Sequence, residues 1–331
     1  MDEPSCFEKT VDGVQMWIAI DSTDLGPALG GCRWKPYPDP AAAQRDAIAL
    51  ARAMTRKAAL AQLALGGGKA VVIGDPRERT PEQLRAFGRF VDELEGRYIT
   101  AADMGTGEES MAVIREVTEH VAGLPRRLGG CGDPGPFTAL GVRAAMRAAA
   151  EQHGLDPSQL HVAVQGAGNV GGELIRLLLA DGAHITACDP RPEALQALGG
   201  DVRVVSPAEI LDQECDVFAP CGPPFAIDAR RAETLRCKVI CGGANNPLTG
   251  AETAGVLARR GILYVPDFLA NAGGLIHLAV AREGGDDDAT REHLRVIPEN
   301  LSQVLARAKA EGVEPGEAAE RLAMERRRSR R

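Results

Sequence analysis

Two lysines and one carboxylate are the residues in this sequence best suited by type and setting to move protons. Lys57 closes the run Met54-Thr55-Arg56-Lys57, and Lys69 closes Gly66-Gly67-Gly68-Lys69. Three glycines before a lysine let the backbone come very close to a bound molecule. An amine held in so crowded and dry a place loses solvation, which tunes such a group toward proton transfer near neutrality. Asp103 lies in the glycine-containing loop Ala101-Ala102-Asp103-Met104-Gly105-Thr106-Gly107, where it could trade protons with such an amine and with a substrate. Taken singly, Lys57 reads as a surface helix lysine and Asp103 as a helix cap. Their company, with a dinucleotide loop further along the chain, points to redox chemistry at an amino or keto carbon.

That loop is Gly166-Ala167-Gly168-Asn169-Val170-Gly171, a G-x-G-x-x-G between an apolar strand and a helix. Alone the motif is weak; in this setting it is specific. Gly166 allows the tight turn, Gly168 lets backbone meet the pyrophosphate, and Gly171 lets helix pack on strand. The helix N-terminus then offers free N–H groups to the phosphates, with Asn169 and Val170 as further expected contacts. Asp189 closes the next strand about twenty residues on, where a carboxylate suits ribose hydroxyls and repels a 2′-phosphate. The expected cofactor is therefore NAD rather than NADP, although Arg191 nearby softens that repulsion. Cys221 and Asn245 follow strands whose C-terminal ends face the ligand crevice of such sheets. Asn245 carries a donor and an acceptor, which fits a carboxamide such as nicotinamide's; Asn245-Asn246 reads equally as a turn. Thr138, early in the helix over 137–152, completes the expected cofactor contacts.

The elements that must position these residues follow from periodicity. Residues 14–21 alternate as a strand, Pro40 to Leu65 has helical apolar spacing, and 70–74 is a short strand. Thr80-Pro81 opens a helix, and 98–100 is a strand leading into the Asp103 loop. The Gly/Pro cluster at 129–136 marks a boundary or hinge. Beyond it, strands at 161–165, 183–188, 202–205, 215–219, 237–241 and 262–265 alternate with helices, as in a parallel doubly wound sheet. Helices are expected at 271–283, 289–311 and 315–330. The predicted fold class is α/β with two domains and a cleft between them. Residues 1–130 form an α/β substrate and oligomerisation domain, and 131–290 a Rossmann-type NAD-binding domain. The helices of 291–331 return toward the first domain.

Bulk properties fit a globular enzyme. The chain has 331 residues, 44% of them hydrophobic, enough for two cores. A net charge of -8 gives nucleic-acid binding no electrostatic support. The one basic block, Arg326 to Arg331, reads as the solvated end of a C-terminal helix, and Asp286-Asp287-Asp288 as a solvated helix start. Eight cysteines without a Cys-x-x-Cys pair, and scarce histidine, argue against a metal site. Cys188, Cys215, Cys237 and Cys241 sit in or beside apolar runs, as in a reduced, cytoplasmic protein. The N-terminus lacks the pattern of a signal peptide, and no run is long and apolar enough to span a membrane.

Five motifs carry a family resemblance: Leu25-Gly26-Pro27-Ala28-Leu29-Gly30-Gly31-Cys32-Arg33, Met54–Lys57, Leu65–Lys69, Ala102-Asp103-Met104-Gly105-Thr106, and Pro266–Gly274. In order and spacing the chain resembles the amino acid dehydrogenases acting on glutamate, leucine, phenylalanine or valine, from about residue 10 to the C-terminus. The resemblance implies that Lys57 pairs with the substrate α-carboxylate, helped by backbone near Gly30 and by Asn271. It implies that Lys69 is the general base acting through a water and that Asp103 exchanges protons with the amine. Glutamate-specific members carry a lysine where this chain has Leu29, and burying a substrate carboxylate there would be costly. An apolar substrate follows, with Ala101, Leu275 and Leu278 completing the side-chain pocket. These also read as ordinary helix core. The bulk of Leu29 and Leu275 favours leucine, valine or isoleucine. The stretches 215–221, 260–264 and 276–278 look closest to phenylalanine dehydrogenases, which makes phenylalanine the alternative. His277 replaces an Asn common in leucine-specific members. The resemblance further implies a homo-oligomer, although the segment before Trp17 is shorter than in many members. Two other readings compete: a 2-hydroxy acid enzyme, which needs a catalytic His near an Arg, and an NAD-binding sensor without turnover.

Overall fold

Met16 through Ile20 are all buried, so the strand that carries them is covered on both faces. In the computed structural model, which describes residues 3–199 and 201–329, this strand lies inside a five-stranded mixed sheet. The strands are β1 (Ser5–Val11), β2 (Val14–Ser22), β3 (Ala28–Lys35), β4 (Gly66–Ile73) and β5 (Tyr98–Ala102), in the order β1-β2-β4-β3-β5. β2 runs antiparallel to β1 and β4, whereas β3 runs parallel to β4 and β5. On one face Trp17, Ala19 and Val71 pack against Ala43, Ala47 and Ala51 of helix α1 (Pro40–Leu60). The i, i+4 alanines keep that helix close to the sheet. On the other face Met16, Ile18 and Val72 meet Phe87, Phe90 and Val91 of α2 (Pro81–Asp92) and Met111 and Ile114 of α3 (Glu108–Arg115).

Local chemistry sets the ends of these helices. Asp39 accepts from Ala42 N at 2.7 Å, and Pro40 begins α1 where its missing N–H costs nothing. α1 stops at Leu60 rather than Leu65, because Gln62 turns into the left-handed region at φ 58°. Thr80 and Gln83 form a reciprocal capping box on α2. Two strands escape the periodicity reading, β1 and β3. In β3 the pair Gly30-Gly31 breaks the alternation, and glycine is a weak strand former.

The second sheet is wholly parallel. Its strands are β6 (His161–Gln165), β7 (His184–Cys188), β8 (Val202–Val204), β9 (Val217–Pro220), β10 (Val239–Ile240) and β11 (Leu263–Tyr264), ordered β11-β10-β9-β6-β7-β8. Val162, Ala163 and Val164 are fully buried, as a central parallel strand requires. The chain winds outward from β6 through β7 to β8, then returns to β9 on the other side of β6. This is the topological switch point of a doubly wound, Rossmann-like sheet. Helix α4 (Gly135–Gln152) precedes β6 and α5 (Asn169–Ala180) follows it. Arg143 joins them through Asp181, which its Nε reaches at 2.6 Å.

The chain forms two compact units: Met1–Pro134 with His277–Ala289 and Ala323–Arg331, and Gly135–Ile276 with Thr290–Leu322. These cut points differ from the ranges 1–130, 131–290 and 291–331 expected from sequence. Specific bonds tie residues 277–289 to the first unit: His277 Nε2 donates to the Cys131 carbonyl at 3.2 Å, and Arg126 pairs with Asp287 at 2.8 Å. Asp287 is thus an ion-pair partner as well as a helix-start acid. The basic block is also not simply solvated. Arg327 is buried and donates from Nε to Asp24 at 2.6 Å, and Arg326 donates to the Leu60 carbonyl at 2.8 Å. Arg330 and Arg331 lie outside the described residues. The helix expected over 289–311 is two, Asp287–His293 and Val296–Glu311, since Pro298 fits only the first turn of a new helix. Among the described residues no helix is long and apolar enough to cross a membrane, and no group of three or more His, Cys, Asp or Glu side chains could hold a metal ion.

Candidate active site

Lys69 and Asp103 meet in the first unit. Lys69 sits mid-strand on β4, paired with Ala19 of β2, and is buried. Asp103 follows the last residue of β5 and accepts a hydrogen bond from Lys69 Nζ. A third group joins them: Arg33 of β3 lies with Nε 3.4 Å from the same Asp103 Oδ2. Arg33 also reaches Asp46 of α1 from Nη1 at 3.2 Å. Thr106 pins the loop, accepting from Asp103 N at 3.0 Å and donating to the Cys32 carbonyl at 2.8 Å. Burial pushes the Asp103 carboxyl up, but the charges of Lys69 and Arg33 outweigh it and hold the group well below the usual carboxylate range. Lys69 and Asp103 are therefore a side-chain nitrogen and a carboxylate in direct hydrogen-bond contact, two groups able to hand a proton back and forth.

Arg33 and Thr106 are the site residues that sequence reasoning missed. Arg33 stands in the very motif that carries the family resemblance, and its place two residues beyond the Gly30-Gly31 pair was the available signal.

The glycines play a different part from the one expected. A Cβ at Gly67 would overlap Thr55 N of α1, one at Gly30 the Gly68 carbonyl, and one at Gly68 would come within 2.7 Å of the Tyr98 ring. These positions are filled by the protein's own backbone and rings, so the glycines seat Lys69 by letting strands and helix close up. Gly30 also accepts from Tyr98 Oη at 2.5 Å. Lys57 is half-buried in the last turn of α1. Leu29 and Ala101 are buried on β3 and β5, where Leu29 pairs with Gly67 and Ile99, and Ala101 with Gly31. Leu278 is buried, its Cδ2 3.3 Å from where a Gly123 Cβ would stand.

In the second unit the loop after β6 has the features of a phosphate cradle. Gly166 adopts φ 98°, and a Cβ there would meet the Cys221 carbonyl at 2.8 Å. A Cβ at Gly171 would overlap the Gly166 carbonyl, which binds α5 tightly to β6. Gly168 is the N-cap of α5, with no side-chain cap. Asn169 is exposed and Val170 half-buried, Val170 packing beneath Gly243. Asp189 accepts from Ala167 N at 2.8 Å, fixing the loop to the end of β7. Cys221 Sγ accepts from Gly243 N at 3.4 Å, and burial pushes its thiol up to about 11, an unreactive packing group. Asn245 and Asn271 come together, Asn271 Nδ2 donating to Asn245 Oδ1 at 2.9 Å and to the Gly243 carbonyl at 3.3 Å. Asn271 Oδ1 is buried without a protein partner among the described residues, a free acceptor of the kind found where a ligand binds. Asn246, at φ 49°, makes the turn. Thr138 is half-buried in the first turn of α4, its Cα 3.1 Å from where a Gly273 Cβ would stand, and Leu275 is buried in the helix Gly273–Arg282.

A Glu/Leu/Phe/Val dehydrogenase dimerisation-domain model matches residues 7–120, and a glutamate/leucine/phenylalanine/valine dehydrogenase model matches 129–191 and 193–329. The chain belongs to the Glu/Leu/Phe/Val dehydrogenase family. It is 42% identical to leucine dehydrogenase of Bacillus subtilis over 319 residues, covering 95% of this chain and 88% of that one. It is 41% identical to valine dehydrogenase of Streptomyces albus over 322 residues, with the same two coverages. Among solved structures, L-tryptophan dehydrogenase from Nostoc punctiforme superposes with a TM-score of 0.84 at 36% identity, covering 99% of this chain and 97% of that one. As a Glu/Leu/Phe/Val dehydrogenase, the protein is an oxidoreductase acting on an amino acid, with NAD as cofactor. The tight turn at Gly166, the open backbone at Gly168 and the uncapped start of α5 are what a dinucleotide pyrophosphate needs.

Proposed function

We propose that this enzyme catalyses the reversible oxidative deamination of leucine, valine or isoleucine to the 2-oxo acid and ammonium. The Lys69–Asp103 pair, its lysine buried and its carboxylate partly so, carries the chemical part of this reading. Lys57 anchors the substrate α-carboxylate, with Gly30 backbone and Asn271 assisting, and so fixes the α-carbon's orientation. NAD, when bound, supplies the hydride acceptor; Gly166, Gly168, Asn169, Val170, Gly171, Asp189, Thr138, Asn245 and Cys221 hold it. Asp103 takes a proton from the substrate ammonium, giving the free amine that can lose hydride from its α-carbon. Lys69 in its amine form then takes a proton from the water that adds to the resulting iminium carbon. Asp103 returns a proton to nitrogen; the carbinolamine then collapses as its hydroxyl proton is lost and the C–N bond breaks, and the departing ammonia takes up that proton and leaves as ammonium.

Leu29 supports an apolar substrate. It is 1% exposed on β3, where a substrate carboxylate would find no cation from this side chain. Ala101, Leu275 and Leu278, all buried, complete the apolar set. Phenylalanine is the second reading, favoured by the stretches 215–221, 260–264 and 276–278. One methylene alters discrimination by only about 1–3 kcal/mol, so neighbouring side chains overlap as substrates. The dimerisation domain named for residues 7–120 further supports a homo-oligomer. A panel of L-amino acids assayed for NADH formation tests the reading. It predicts kcat/KM highest for a branched aliphatic substrate, lower for phenylalanine and negligible for glutamate; glutamate as best substrate overturns it.

A further inference from the structure

Asp189 stands where a carboxylate would receive the adenosine ribose, yet its acceptor capacity is already taken. An ionised carboxylate offers about four lone-pair sites. Ala167 N approaches Oδ2 at 2.8 Å, and Arg191 N approaches Oδ1 at 2.9 Å. The Arg191 guanidinium lies across both oxygens, with Nε 3.1 Å from Oδ1 and Nη2 3.4 Å from Oδ2. Asp189 is thereby paired and nearly sealed, its side chain 5% exposed, while that of Arg191 is 58% exposed. Arg191 Nη2 is also 3.6 Å from where a Cβ of Gly168 would stand, the sole neighbour within 4 Å there among the described residues. The outer surface of this corner is thus a guanidinium edge over the glycine loop, presenting N–H donors rather than carboxylate oxygens. Glu193, in the first turn of the next helix, also acts on Arg191 as a surface charge screened by water.

We propose that Arg191 makes the cofactor site accept the 2′-phosphate of NADP(H) as well as the ribose hydroxyls of NAD(H). A guanidinium with two of its five N–H groups on Asp189 keeps three for a ligand, in the fork geometry that matches phosphate oxygens. Asp189 holds the fork in place and offers no unpaired charge to repel the phosphate. Arg191 is here a specificity-determining residue. The inference rests on the reading that the Gly166–Gly171 loop holds the dinucleotide.

The test is the ratio of dissociation constants for NADP+ and NAD+, measured by calorimetry on wild-type protein and on Arg191→Ala. A hydrogen-bonded charge pair contributes about 1.5–3 kcal/mol, which is tenfold or more in affinity. The proposal predicts a wild-type NADP+/NAD+ ratio below about ten that rises at least about tenfold in Arg191→Ala and less in Arg191→Lys. A wild-type ratio above that bound, or a ratio that Arg191→Ala leaves unchanged, overturns it. Tight NAD+ binding in the same titration keeps the two ideas apart. NAD+ bound with NADP+ refused sinks the role of Arg191 alone, whereas failure of both cofactors to bind sinks the loop assignment and the proposal with it.

Discussion

Asp103 has two cations, and only one was visible in the sequence. Lys69 announces itself by the glycines before it. Arg33 is hidden inside a strand that the residue pattern does not reveal, and nothing in its spacing from Asp103 signals contact. Yet Arg33 links Asp103 to Asp46 of α1 and helps keep the Asp103 carboxyl ionised. A depressed folded-state pKa contributes stability that is present above the ordinary carboxylate range and lost as pH falls through the folded value. Arg33→Ala removes one lowering charge and leaves burial, which raises the pKa, less opposed. The folded-state value should therefore move up toward the reference of about 3.9, and acid unfolding should begin at higher pH than in the wild type. Circular dichroism during acid titration reads this directly; an acid limb that does not move refutes the role. At this scale the motifs single out Lys69, Asp103, Gly166 and Asp189 as candidates, and the fold brings Lys69 to Asp103 and Asp189 to the Gly166 loop. The sequence did not disclose Arg191's occupation of Asp189, because a side chain two residues away can point anywhere until the fold fixes it.

At the scale of elements, the legible parts were those with strong local signals. The helix start at Thr80-Pro81, the strand at β2 and the βαβ rhythm beyond residue 160 each follow from sequence. β3 and the glycine-rich start of β4 did not, because their glycines are explained by what crosses them rather than by strand propensity. Gly67 is the clearest case: a side chain there would strike backbone of α1 at Thr55, which cannot swing away. Gly67→Ala should destabilise the fold by about 2 kcal/mol or more, in the range of overpacked cores, and displace Lys69 with β4. Gly107→Ala is the control, since it has extended backbone at φ -152° and open space around it. Urea denaturation of the two variants compares them, and equal midpoints would contradict this account of the glycine run. The basic block at the C-terminus teaches the same lesson. A charge run reads as a solvated face until a loop carboxylate such as Asp24 folds against it.

At the scale of the whole molecule, each unit brings one half of the chemistry. The mixed sheet carries the Lys69–Asp103 pair proposed to handle protons, and the parallel sheet carries the glycine loop proposed to hold the dinucleotide, at its switch point. That division was legible from the change in strand rhythm near the Gly/Pro cluster at 129–136. The return of residues 277–289 to the first unit was not, since it depends on pairings such as Arg126–Asp287 that join residues far apart in sequence, whereas a return of the C-terminal helices over 291–331 is among the expectations from sequence. The central claim, that Lys69 with Asp103 moves the protons of amino acid deamination, is tested most directly by turnover and cofactor binding in Lys69→Ala. With L-leucine and saturating NAD+, kcat should fall by about 10²–10⁴ while the NAD+ dissociation constant stays at its wild-type value. A variant that binds NAD+ normally and still forms NADH at the wild-type rate contradicts it.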